Sequence, residues 1–108
     1  MKLSDLTAAE PALLKGTLKD PYSYACHLEL GELYRETGRF PLARQHFEWV
    51  LRFFPDADAT IFRSLAGVYV VLGDKKSAAS ILQKGRRIFP DDTELEKAEA
   101  HFKNDAQR

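Results

Sequence analysis

An all-α domain of six antiparallel helices is predicted from three observations. One helical hairpin occurs twice, each copy stops on a proline, and the segments on either side keep a helical period. Set at an offset of 35 residues, YACHLELGELYRETGRFPLARQHFEWVLRFFPDA and ATIFRSLAGVYVVLGDKKSAASILQKGRRIFPDD pair Leu30 with Leu65, Tyr34 with Tyr69, Gly38 with Gly73, Ala43 with Ala78, Phe47 with Leu82 and Pro55 with Pro90. Self-similarity at such a period is the signature of stacked helical units.

Taken in chain order, residues 6–20 read as the second helix of a degenerate preceding unit, because Ala9, Leu13, Gly16 and Pro21 stand 69 residues before Ala78, Leu82, Gly85 and Pro90. Proline fits the first turn of a helix, so Pro11 and a Thr7-x-x-Glu10 capping box place its start near residue 7, with a start at Pro11 itself as the alternative. The first copy, 24–57, is read as helices over 21–37 and 41–54, and the second, 59–92, as helices over 58–72 and 75–89. Gly38 and Gly73 suit the left-handed turn that ends a leading helix, and Pro55 and Pro90 stop the returning one. Asp91-x-x-Glu94 opens a last helix, 92–104, whose narrow apolar stripe of Leu95, Ala98 and Phe102 reads as a solvating cap. Gly85 lies inside a helix where no turn is needed, so Gly85→Ala is expected to raise stability by about 0.5 to 1 kcal/mol.

Composition narrows the function. With 108 residues, 44% apolar and 30% charged, the chain is expected to form a single globular domain over 1–108. Sixteen basic residues balance sixteen acidic ones, which argues against a nucleic-acid partner. One cysteine, Cys26, excludes an intramolecular disulfide and any CxxC site. No leader-like or membrane-length apolar run is seen, so a cytoplasmic protein without membrane insertion is expected.

The matched positions resemble the tetratricopeptide repeat. The first copy supplies Leu30, Gly31, Tyr34, Gly38, Phe40, Ala43, Phe47, Val50 and Pro55, and the second Phe62, Leu65, Ala66, Tyr69, Gly73, Ala78, Leu82, Gly85 and Pro90. It departs at His27, where the family favours tryptophan, and at Lys75, where it favours an aromatic after the turn. The resemblance implies a short right-handed α-solenoid of two full repeats flanked by an N-terminal half-repeat helix and a C-terminal capping helix. It also implies a concave groove lined by leading helices, which receives a peptide or helix of a partner protein.

Nothing in the residues suggests an enzyme or a cofactor. His27, His46 and His101 fall on three different predicted helices without a second ligand at i+3 or i+4, so a packed His27 is expected rather than a metal ligand. Cys26 has no basic neighbour at helical spacing and is expected to be a quiet thiol. On the leading helix of the first copy, Glu29, Glu32 and Glu36 share one face as an acidic stripe without a neutralising partner. The equivalent places in the second copy are Thr60, Ser64, Gly67 and Val71, with Arg63 and Val70 beside them. A segment pairing a basic with an apolar side chain would suit those two walls. The carboxylate-clamp version of the groove is not implied, since Arg35 and Arg63 are its only cations. A second candidate face is Leu42, His46, Trp49 and Phe53, where Trp49 is either packed within its own chain or an anchor for another molecule. The sequence therefore supports a bacterial-style adaptor or chaperone-like binding module, or alternatively a self-associating unit that dimerises or stacks through its ends or the Trp49 face.

Overall fold

A computed structural model describes the backbone of residues 3–106 and the side chains of 8–103. Six helices follow one another, with no strand among the described residues, and the chain divides into two compact units between Phe54 and Pro55.

The first unit holds α1 (Leu3–Lys19), α2 (Tyr24–Glu36) and α3 (Phe40–Phe53). The Ser23 hydroxyl accepts from the Cys26 amide at 3.2 Å and so caps α2. Gly38 ends the turn beyond that helix at φ 80°, in the left-handed region that favours glycine, while the Arg39 amide donates back to the Tyr34 carbonyl at 2.8 Å. Leu30, Leu33, Tyr34, Ala43, Phe47 and Val50 form the buried seam between α2 and α3. Gly31 permits the approach: a methyl group there would lie 2.8 Å from Cε1 of Phe47.

The first helix begins earlier than its residues suggest. It starts at Leu3 and continues through Pro11, so Thr7 lies inside the helix and does not cap it; its side chain lies outside the described ones. Glu10 works across the unit instead. Arg39 Nη1 and Nη2 donate to its two oxygens at 3.1 and 2.8 Å, and the Tyr34 hydroxyl donates to Oε1 at 3.0 Å. This two-pronged charge-assisted bond anchors the residue just before the proline, which supports an interior position the ring would otherwise disfavour. Gly16 faces Cys26 closely, since a Cβ would stand 2.7 Å from its Sγ.

The second unit holds α4 (Ala59–Val71), α5 (Lys75–Ile88) and α6 (Thr93–Ala106). Asp58 caps α4 through the Thr60 amide at 2.8 Å, and Asp74 caps α5 through the Ser77 amide at 3.0 Å. Asp92, one residue later than expected, accepts from the Leu95 amide at 2.8 Å at the start of α6. Gly73 turns at φ 81° as Gly38 does. Ile61, Phe62, Leu65, Val68, Ala78 and Leu82 are buried, and Leu95 of α6 is fully covered.

Gly85 overturns the expectation made for it. Its missing Cβ would lie 2.8 Å from Cγ and 3.0 Å from Cβ of Phe62. The glycine lets α5 close onto the root of that ring, so its helical cost accompanies a close approach that alanine would spoil.

Candidate functional site

Three helices of the second unit surround a cavity of about 470 Å³. From α4 come Arg63, Ala66, Gly67 and Val70; from α5, Lys75 and Leu82; from α6, Ala98, His101 and Phe102. Arg63, Gly67 and Val70 were expected on a groove wall, whereas Thr60, Ser64 and Val71 are outside this lining. The opposite wall was missed. Ala98 and Phe102 were read as the stripe of a solvating cap, yet they face the cavity. A stripe of two small or aromatic residues beside Leu95 was the signal that could have found it.

The lining is mostly apolar, with Arg63 and Lys75 as its charged members. Gly67 leaves room, because a Cβ there would meet nothing within 4 Å. Arg63 Nη2 donates to the Thr60 hydroxyl at 3.3 Å, and its buried Nε has no hydrogen-bond partner among the described residues. Neither Arg63 nor Lys75 has a carboxylate within 4.0 Å among the described residues.

The acidic stripe belongs to the other unit, and it is not unneutralised. Arg35 Nη2 stands 2.6 Å from Glu32 Oε2 and 3.7 Å from Glu36 Oε1, which leaves Glu29 as the exposed carboxylate of that face with no ion pair among the described residues. The i,i+3 spacing of Glu32 and Arg35 already contained this pair. Such half-exposed bridges are worth about 0 to 1 kcal/mol, so the correction concerns charge more than stability.

The α3 face is partly consumed within the first unit. Trp49 stacks on His27 with ring centroids 3.7 Å apart and planes 23° from parallel, and it adjoins Phe53 and Phe54. His27 is half-buried, with Nε2 2.8 Å from the Pro21 carbonyl and Nδ1 3.0 Å from Nδ1 of His46. A carbonyl only accepts, so His27 carries its proton on Nε2 and His46 donates from Nδ1. Burial, reinforced by the neighbouring His27, holds the His46 imidazole below the ordinary histidine value. Leu42 and Phe53 remain exposed, and Phe53, 47% exposed, meets the 68% exposed Tyr22 edge to face at 6.1 Å.

Hydrogen bonds from Arg39, reinforced by that of Tyr34 and by the guanidinium's charge, hold Glu10 below the usual carboxylate range; burial, then the bond to Glu10, raises the Tyr34 phenol. That network closes a helix contact and is structural. Among the described residues no group of three His, Cys, Asp or Glu side chains could hold a metal ion. No helix among them is long and apolar enough to cross a membrane.

A family model described as tetratricopeptide repeat matches residues 1–58 and 28–93. No curated protein matches the chain.

Proposed function

The chain belongs to the tetratricopeptide-repeat family, and we propose that it is a non-catalytic protein-protein interaction module, of adaptor or chaperone-like type, that holds a peptide or helix of a partner protein in the groove of α4, α5 and α6. Repeats of this family are in general protein-binding modules. The observation that carries the reading is the open apolar cavity at Gly67 and Val70, a concave surface of the size that binding sites have. The α2 stripe of Glu29, Glu32 and Glu36 belongs to the first unit, where Arg35 already engages two of its members, and is not part of this groove. A cytoplasmic setting, in keeping with a single unpaired Cys26, is part of the proposal.

Gly67→Phe tests it, because a Cβ at this exposed, cavity-lining position meets nothing within 4 Å and the added ring would take up room in the groove. The variant should keep the parent's helical content and melting temperature while losing the partner captured by the parent in a pull-down. Capture that persists through the substitution would remove the groove from consideration.

Self-association is the second reading, and the exposed Tyr22–Phe53 pair favours it. Light scattering across a hundredfold dilution should then show mass falling with concentration, and Phe53→Ser should leave a monomer throughout.

A further inference from the structure

We propose that His27 and His46 form a chelating pair for one late divalent transition-metal ion, copper(II) before nickel(II) or zinc(II), with water in its remaining coordination positions. The site lies wholly within the first unit and is independent of the groove. The two Nδ1 atoms stand 3.0 Å apart, one on α2 and one on α3. At metal–nitrogen distances of about 2.0 Å, two nitrogens at a right angle are about 2.8 Å apart, and two at the tetrahedral angle about 3.3 Å. The observed separation falls between these, so one ion beside the line joining the nitrogens is within reach of both rings once each turns toward it. Imidazole suits copper, nickel and zinc, and among them copper(II) binds a given nitrogen site most tightly.

Three features point to a ligand rather than to packing alone. The second copy holds Phe62 and Ile81 at the same two places, so the repeat packs with apolar residues where this copy has two imidazoles. His27 is oriented as ligating histidines are, since its Nε2 donates to the Pro21 carbonyl at 2.8 Å and leaves Nδ1 as the lone-pair nitrogen. Aromatic rings hold both imidazoles in place: Trp49 stacks on His27 at 3.7 Å, and the Tyr34 ring centroid is 5.5 Å from that of His46. The ion replaces the hydrogen bond between the rings. The proton that His46 donates from Nδ1 moves to its own Nε2, and the ring ligates as the neutral form. Nineteen positions separate the two histidines, which hides the pair from any i+3 or i+4 spacing. No third His, Cys, Asp or Glu joins them among the described residues, and both rings are half-buried, so the ion keeps open positions that water can fill.

Copper(II), nickel(II) and zinc(II) salts, each alone in a non-chelating buffer, are titrated into the tag-free full chain. Calorimetry should show a single ion bound per chain, most tightly for copper(II). Copper(II) should also quench the emission of Trp49, whose indole lies on a ligating ring, and the quenching should saturate at one equivalent. His27→Phe combined with His46→Ile installs the residues of the second copy. That double variant should lower copper(II) affinity by about tenfold or more and lose the saturable quenching, whereas His101→Gln should leave both unchanged. Electron paramagnetic resonance of the copper(II)-loaded parent should show two imidazole nitrogens on the metal, a readout that needs no variant. A spectrum with fewer than two overturns the site. So does a parent titration that fails to saturate near one equivalent, or heat and quenching that persist in the double variant.

Discussion

In the α2–α3 pair the glycine sits on the leading helix and the ring on the returning one, with Gly31 beneath Phe47. In the α4–α5 pair the arrangement is reversed, with Phe62 on the leading helix and Gly85 on the returning one. The aligned places show the exchange: His27 and Gly31 answer to Phe62 and Ala66, while Phe47 and Val50 answer to Leu82 and Gly85. Each hairpin thus closes over one large ring and one absent side chain. What the repeat conserves is the volume summed across two helices at interior density, and the residues that supply it can trade sides.

Removing either ring should break the two hairpins to a similar degree. Phe47 and Phe62 are both fully buried, so Phe47→Ala and Phe62→Ala should each cost about 3 to 5 kcal/mol in chemical denaturation. A cost below about 1.5 kcal/mol for one of them would mean that its hairpin does not depend on the exchange.

Filling the glycines should sharpen the contrast. Gly85→Ala and Gly31→Ala should each lose about 1 to 3 kcal/mol. Gly85→Ala should lose more, since the methyl meets Cγ and Cβ of Phe62 at 2.8 and 3.0 Å, whereas at Gly31 it meets the outer ring atoms of Phe47 at 2.8 and 2.9 Å. Adding Phe62→Leu to Gly85→Ala should recover part of the loss, a coupling that a double-mutant cycle reads directly. Gly67 is the control. With open space at its Cβ position, Gly67→Ala should gain about 0.5 to 1 kcal/mol.

The smallest effect concerns pH. His46 has its folded value lowered, so the unfolded chain binds more protons as acid is added. Its stabilising share is present above about pH 6.5 and drains away as pH falls through the lower folded value. The second copy has Phe62 and Ile81 at the two histidine places. His46→Ile should therefore flatten the change in denaturation midpoint between pH 7.5 and 5. The carboxylate of Glu10 loses its own share only below the usual carboxylate range, and Glu10→Gln should remove that later acid loss.

The local code of this chain was readable: helix period, glycine at each turn and proline after each returning helix foretold α2 to α5 within a few residues. The close approach at Gly85 was not, because a glycine inside a helix looks like a propensity cost until the ring opposite it is known. Glu10 was assigned to a cap three residues away when its partner, Arg39, lies 29 positions on. Arg63, Gly67 and Val70 of the candidate site were legible from helical phase, while Lys75, Ala98, His101 and Phe102 required knowing how α5 and α6 lie on α4. Periodicity marks a face, and only packing says what that face meets.

Trp49 is the sole tryptophan, and it lies in the first unit against the imidazole of His27. The intrinsic fluorescence of the protein is accordingly a reporter on α1 to α3, while circular dichroism weighs helices of both units. Unfolding followed by the two signals should superimpose if all six helices melt as one cooperative body. A fluorescence midpoint displaced from the dichroic one would reveal two melting units with separate stabilities. The stacked indole thus makes the chain's cooperativity measurable without a label.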